Sequence, residues 1–214
     1  MKTNSSISNS KQINQFSKIK NSECNMLIVG TGGQGLITLL QIIAQAAFID
    51  GNDVRTSELH GLSQRGGSVD GHIRFGRKIY SPLISQGEAN LILGLEMQES
   101  LRVFSFANEK TFFLLNQEII PIPLTQTPTE NEILENFKKV NLSFYTIPAG
   151  KICQEKLGNK VVSGIFLVSL ASFKNLIPIN PDSLLEAIEK VISKDHLDLN
   201  IKAFNLASQY AKKE

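Results

Sequence analysis

Two short blocks of this chain carry residue types and spacings suited to chemistry. The first reads Gly30-Thr31-Gly32-Gly33-Gln34-Gly35, directly after the apolar run Met26–Val29 and directly before an apolar helical pattern. Gly30, Gly32 and Gly35 satisfy G-x-G-x-x-G in the setting where the motif has meaning, a strand running into a helix. Glycine there permits a tight turn and close backbone approach, and the free N–H groups of a helix start suit an anion such as a phosphate. Three readings stay open. The corner is a nucleotide site, with Glu58 near the end of the next strand where a ribose would be held; or an anion contact; or a structural corner packed on another chain. Gln34, whose amide both donates and accepts, suits a polar contact across an interface.

The second block reads Thr56-Ser57-Glu58-Leu59-His60-Gly61-Leu62-Ser63-Gln64-Arg65-Gly66-Gly67-Ser68-Val69. A loop so dense in Gly, Ser, Gln, His and Arg builds no core; such loops lie where backbone meets a ligand or another subunit. Arg65 offers a planar fork of donors for a carboxylate or phosphate, and Gly66 and Gly67 let the backbone approach what it reaches. The plainer alternative is a surface ion pair with Glu58 or Glu88. His60 and His72 read as structural, His72 because it alternates with Ile73 and Phe75 in a strand. Glu96, after Leu93-Gly94-Leu95, sits either at the ligand-binding end of a parallel strand or in the first turn of a helix.

An alternating frame must position these blocks. Met26–Val29 predicts a central strand, Leu36 to Asp50 a helix and Asp53 to Glu58 a second strand, together a right-handed βαβ unit. Ser68 to Phe75 alternates as a strand, with Lys78 to Ser81 pairing back on it as a hairpin that Pro82 closes. Strands are expected at Ala89 to Leu95, Thr111 to Leu115 and Ser143 to Ile147, and helices at Met97 to Ala107 and Glu130 to Lys139. Pro121, Pro123 and Pro128 keep the intervening stretch extended. Helices follow at 149–157, 160–173, 182–193 and 200–211. The fold class is α/β: a three-layer sandwich with a mainly parallel sheet, a Rossmann-like first βαβ unit and a helical C-terminal portion.

Composition bounds the rest. A chain of 214 residues with net charge +2 lacks the basic stripe a nucleic-acid surface requires. Cys24 and Cys153 have no CxxC spacing and the three histidines no ligand spacing, so no metal site and no iron–sulfur cluster is expected from this chain alone. Free thiols fit a reducing cytoplasm. Residues 1–24 are Ser-, Asn-, Lys- and Gln-rich with no continuous apolar stretch, and read as a disordered extension rather than a secretory signal. No run reaches the roughly 18 apolar residues of a membrane span.

Taken in order, GTGGQG, TSELHGLSQRGGSV, HIRFG and YSPLISQGEANLILGLE resemble the gamma-type domain of the 2-oxoacid:ferredoxin oxidoreductases, and within that family the indolepyruvate type. The resemblance implies one gamma-type catalytic domain over residues 25–214. It implies a subunit of a thiamine-diphosphate-dependent enzyme that oxidatively decarboxylates a 2-oxoacid, here an aryl pyruvate, to an acyl-CoA with reduction of ferredoxin. The thiamine signature begins GDG, and no GDG occurs here. By the resemblance, thiamine diphosphate and the iron–sulfur clusters therefore belong to a larger alpha-type catalytic subunit, coenzyme A is a co-substrate and ferredoxin the acceptor of the complex. This chain alone would bind no cofactor, hold no catalytic residue and be inactive when isolated. The residues expected to contact coenzyme A or the partner are Gly32, Gly33, Gln34, Gly35, Ser63, Gln64, Arg65, Gly66 and Gly67. A pyruvate or ketoisovalerate gamma subunit, and a stand-alone Rossmann-type nucleotide-binding protein, are the alternatives. One departure stands out: Asn90 occupies a place where the family often has Asp.

Overall fold

The computed structural model describes residues 23–60, 67–121 and 126–212. The expected disordered extension, up to residue 22, lies outside the described residues. Its expected boundary shifts: Glu23 pairs with Arg74 at 2.8 Å and Cys24 is buried as the first residue of strand β1 (Cys24–Thr31), opposite Phe75. β1 pairs with β3 from Phe75 to Ser68, and this ladder carries Cys24 into the sheet.

Six strands form one sheet. After β1 come helix α1 (Leu36–Ile49), β2 (Asp53–His60), β3 (Ser68–Gly76), β4 (Leu91–Gly94) and α2 (Met97–Arg102). A 3₁₀ turn (Phe104–Phe106), β5 (Phe112–Asn116), α3 (Glu130–Lys139) and β6 (Ser143–Ile147) follow. Then come α4 (Ala149–Leu157), α5 (Ser163–Phe173), α6 (Pro181–Val191) and α7 (Lys194–Ala211). The strand order is β2-β3-β1-β4-β5-β6. β1, β4, β5 and β6 run parallel, while β3 is antiparallel to both β1 and β2. The three-layer α/β sandwich with a helical C-terminal portion is thus the fold observed.

The first βαβ unit differs from expectation in one respect: β3 is inserted between β1 and β2. Burial decides this. β2 presents Arg55, Thr56, Glu58 and Leu59 to solvent and suits an edge, whereas Ile73 and Phe75 of β3 are fully buried. Gly71 lets α1 descend on β3, since a Cβ there would come within 2.8 Å of Leu40. The insertion also removes the expected hairpin at Lys78 to Ser81. Both edges of β3 are already taken, so that segment has no ladder to join. It crosses the sheet as a strap instead. Ile79 donates its N–H to Asp53 (2.9 Å), Arg74 donates to the carbonyl of Ser81 (3.1 Å), and Ile84 donates to Nδ1 of His72 (3.1 Å).

Side chains alternate between two cores. Met26 and Ile28 of β1, Ile73 and Phe75 of β3 and Leu91 and Leu93 of β4 pack under α1 and the four C-terminal helices. Helix α5, buried from Gly164 to Ser172, is the centre of that layer. On the other face Leu27, Val29, Ile92, Phe113 and Leu115 meet Met97 of α2 and Ile133 and Phe137 of α3. The expected helix from Met97 to Ala107 stops at Arg102, and the 3₁₀ turn after it sets Phe104 edge-on to Phe113 and Phe137. No helix among the described residues is long and apolar enough to cross a membrane.

Candidate functional site

β1 and β4 are parallel neighbours whose following helices diverge, α1 to one face of the sheet and α2 to the other. Such a divergence opens a crevice beyond the C-terminal ends of the strands, where open α/β sheets place ligands. The glycine corner lies there. Gly33 (φ +102°) and Gly35 (φ +74°) adopt left-handed backbone, and a Cβ at either would meet open space. Gly35 opens α1, and among the described residues no side chain caps the first N–H groups of the helix.

The two sequence blocks meet. Thr31 is opposite Ser68 in the β1–β3 ladder, and Gly32 donates its N–H to the carbonyl of Gly67 at 2.9 Å. Gly32, Gly33, Gln34, Gly35 and Gly67 therefore share one end of the sheet. Ser63, Gln64, Arg65 and Gly66 lie outside the described residues.

Gln34 does not reach outward. Its Oε1 accepts from the Thr31 N–H at 2.8 Å and its Nε2 donates to the Leu95 carbonyl at 3.2 Å, so the amide ties the corner to the end of β4. The same Oε1 fills the space over Gly30, within 2.5 Å of where a Cβ would stand. Gln34→Ala should cost about 1–2 kcal/mol by releasing these groups, read as a lower urea midpoint. The Leu95 carbonyl also accepts from Nδ2 of Asn116 (3.2 Å), whose Oδ1 takes the Gly150 N–H at the start of α4 (3.2 Å).

Glu96 is buried and serves as the N-cap of α2. One carboxylate oxygen accepts from the Glu99 N–H (2.8 Å) and the other from the Ile120 N–H (3.0 Å), which settles the open reading in favour of a helix cap. Burial pushes its carboxyl above the ordinary carboxylate range, against the pull of those two backbone donors, and the nearby Glu99 carboxylate adds to the rise. A raised folded value makes protonation easier in the folded than in the unfolded chain. This group therefore adds stability below the ordinary carboxylate range and withdraws it as pH rises through its raised value. The stability difference between wild type and Glu96→Gln should shrink as pH rises across that window in paired urea titrations. A difference flat in pH would contradict the raised value.

Other candidates fall away from the crevice. Glu58 projects from the edge strand beside an open groove of about 580 Å³ lined by Leu40, Gln41, Ala44, Gln45, Thr56 and Val191. With β3 between β1 and β2, this carboxylate is not beside the glycine corner as a ribose-holding acid requires. His72 is buried with its Nδ1 accepting from Ile84, a structural bond under the strap. Burial holds the thiols of Cys24 and Cys153 protonated, pushed up to about 12 and about 11. Neither offers a thiolate, and no group of three His, Cys, Asp or Glu among the described residues could hold a metal ion. The donor set of the described residues thus does not fit an iron–sulfur cluster. Asn90 uses its Oδ1 to accept the Asn25 N–H at 2.7 Å, a bond an Asp would make equally well.

Sequence reasoning missed Ser68, Glu99 and Asn116. Ser68 directly follows the glycine pair and Asn116 closes the apolar run Phe112–Leu115. For Asn116, a polar residue ending an apolar strand was the available signal.

Residues 25–210 match the family model for pyruvate ferredoxin/flavodoxin oxidoreductase, and the chain belongs to that family. Within it, the chain is 35% identical to the indolepyruvate oxidoreductase subunit IorB of Archaeoglobus fulgidus, over 87% of this chain and 94% of that protein. It is 31% identical to the subunit of the same name from Thermococcus kodakarensis, over 89% and 96% respectively. The fold is that of the keto/oxoacid ferredoxin oxidoreductase gamma subunit from Geobacter sulfurreducens, at TM-score 0.66 and 18% identity over 89% of this chain and 99% of that one. It also matches 31% of the longer 2-oxoglutarate:ferredoxin oxidoreductase chain from Magnetococcus marinus, with TM-score 0.67 and 17% identity over 90% of this chain.

Proposed function

We propose that this chain is the small subunit of an indolepyruvate-type 2-oxoacid:ferredoxin oxidoreductase, completing a larger catalytic subunit. The observation that carries the reading is identity of 30–35% to four proteins named indolepyruvate oxidoreductase subunit IorB, against 27–28% to a pyruvate synthase subunit PorC and to three common gamma subunits of pyruvate/ketoisovalerate oxidoreductases. The reaction of the complex is oxidative decarboxylation of an aryl pyruvate. Coenzyme A takes the acyl group, carbon dioxide leaves, and two electrons pass to oxidised ferredoxin. Thiamine diphosphate supplies the carbanion chemistry and iron–sulfur clusters the electron path, both from the larger subunit. The chain acts in the cytoplasm, and alone it turns over no substrate.

The contact surface toward the larger subunit is the crevice end: Gly32, Gly33, Gly35 and Gly67, with Ser63, Gln64, Arg65 and Gly66 of the adjoining loop. N–H groups at the start of α1 that no described side chain caps give it a donor-rich character, and the sequence of the adjoining loop adds the guanidinium of Arg65. Gln34 belongs to the scaffold beneath. A stand-alone nucleotide-binding role is disfavoured, because Gln34 fills the space over Gly30 and β3 separates Glu58 from the corner. Metal and thiamine analysis of the purified full chain tests the division of labour. The expected result is neither iron nor thiamine; stoichiometric iron would overturn it.

A further inference from the structure

We infer that Glu99 positions the exit of the glycine loop against the GGQG corner and so holds the proposed subunit-contact surface in its working shape. This rests on the reading of the crevice end as that surface. Glu99 is a positioning residue, acting through Ser68 and Gly67.

The chain of contacts is continuous. Glu96 fixes the start of α2 by accepting from the Ile120 and Glu99 amides. The Glu99 carboxylate then accepts the hydroxyl of Ser68. Ser68 follows Gly67, whose carbonyl takes the Gly32 N–H. A helix on one face of the sheet thus sets the backbone path between two loops at its C-terminal edge. Neither sequence motif contains Glu99.

Comparison within the molecule shows that this arrangement is not ordinary helix capping. Glu99 stands three residues after the N-cap of α2, the place where a carboxylate folds back on the N-cap amide. Glu132 does that in α3, accepting the Thr129 N–H at 2.7 Å. Glu99 turns to the loop instead. It does so while only 6% exposed, next to the buried Glu96, and Arg102, its ion-pair partner among the described residues, stands 3.7 Å away and largely in solvent. A second carboxylate in such a place is costly, and an apolar side chain would pack there more favourably. What Glu99 supplies that an apolar residue does not is an acceptor for Ser68.

Three variants test this: Glu99→Ala, Ser68→Ala and Glu99→Gln. The last keeps an acceptor oxygen without the charge. Amide exchange at Gly32 in the isolated full chain reads the corner, and titration with the larger subunit reads the surface. Glu99→Ala and Ser68→Ala should each speed Gly32 exchange at least tenfold and weaken assembly at least fivefold, with Glu99→Gln restoring both. Should Glu99→Ala not fold, Ser68→Ala carries the test, since it removes only the hydroxyl. Wild-type exchange in both alanine variants would overturn the positioning role, as would failure of Glu99→Gln to restore it. Faster exchange with unchanged assembly would instead overturn the contact-surface reading.

Discussion

Gly94→Val is expected to leave the chain without a stable fold. Gly94 ends β4 between Val29 of β1 and Leu115 of β5, in the fully buried middle of the sheet. A Cβ there would run into the Ser100 hydroxyl and come within 2.7 Å of a Leu115 methyl. Neither can step aside. Ser100 is bound to the Glu96 carbonyl at 2.8 Å inside α2, and Leu115 is packed in the core of that face. Overpacking commonly costs about 1–3 kcal/mol, and a site walled by anchored atoms sits at or above the top of that range. Against a total stability of about 5–15 kcal/mol for a domain, the loss is a large fraction. Urea unfolding should show a drop of at least about 3 kcal/mol, or the protein should be recovered insoluble. Gly33→Ala is the contrast: the added methyl meets open space, so only the left-handed backbone is strained, at about 1–3 kcal/mol. A wild-type midpoint for Gly94→Val would show that the β4 end is looser than described.

Arg65→Ala should leave the fold intact and weaken assembly. Its loop leaves β2 at His60 and re-enters the sheet at Ser68, with Gly67 bound to Gly32 and Ser68 bound to Glu99. A charge-assisted hydrogen bond contributes about 1.5–3 kcal/mol, which corresponds to roughly a 10- to 150-fold weaker complex on its loss. Titration of the variant into the larger subunit reads the effect, and the melting temperature of the isolated chain reads the control. Unfolding of the isolated variant, or wild-type affinity, would remove Arg65 from the interface.

Much of the frame was legible because it is written locally. Met26–Val29 followed by glycines, and the helical spacing of apolar residues from Leu36 to Asp50, each act over a few residues. The position of β3 was not legible. Which strand sits beside β1 depends on burial across the whole sheet, and the polar outer edge of β2 decides it only once Ile73 and Phe75 have a helix to face. The glycine corner was found for the same local reason as the strand before it. Gln34 was read as outward-facing because its second partner, the Leu95 carbonyl, is 61 residues away. Ser68 and Glu99 are ordinary polar residues in sequence, and they gain meaning only through the register that brings their segments to one edge.

We propose that this chain completes a larger thiamine-diphosphate- and cluster-bearing subunit. Anaerobic reconstitution tests it most directly: each subunit alone, then both together, assayed for ferredoxin reduction dependent on an aryl pyruvate and coenzyme A. The account predicts no reduction by this chain alone and full activity only when both are present, saturating as the two reach a fixed ratio. Reduction of ferredoxin by the isolated chain, or by the larger subunit at an undiminished rate without it, would contradict the account.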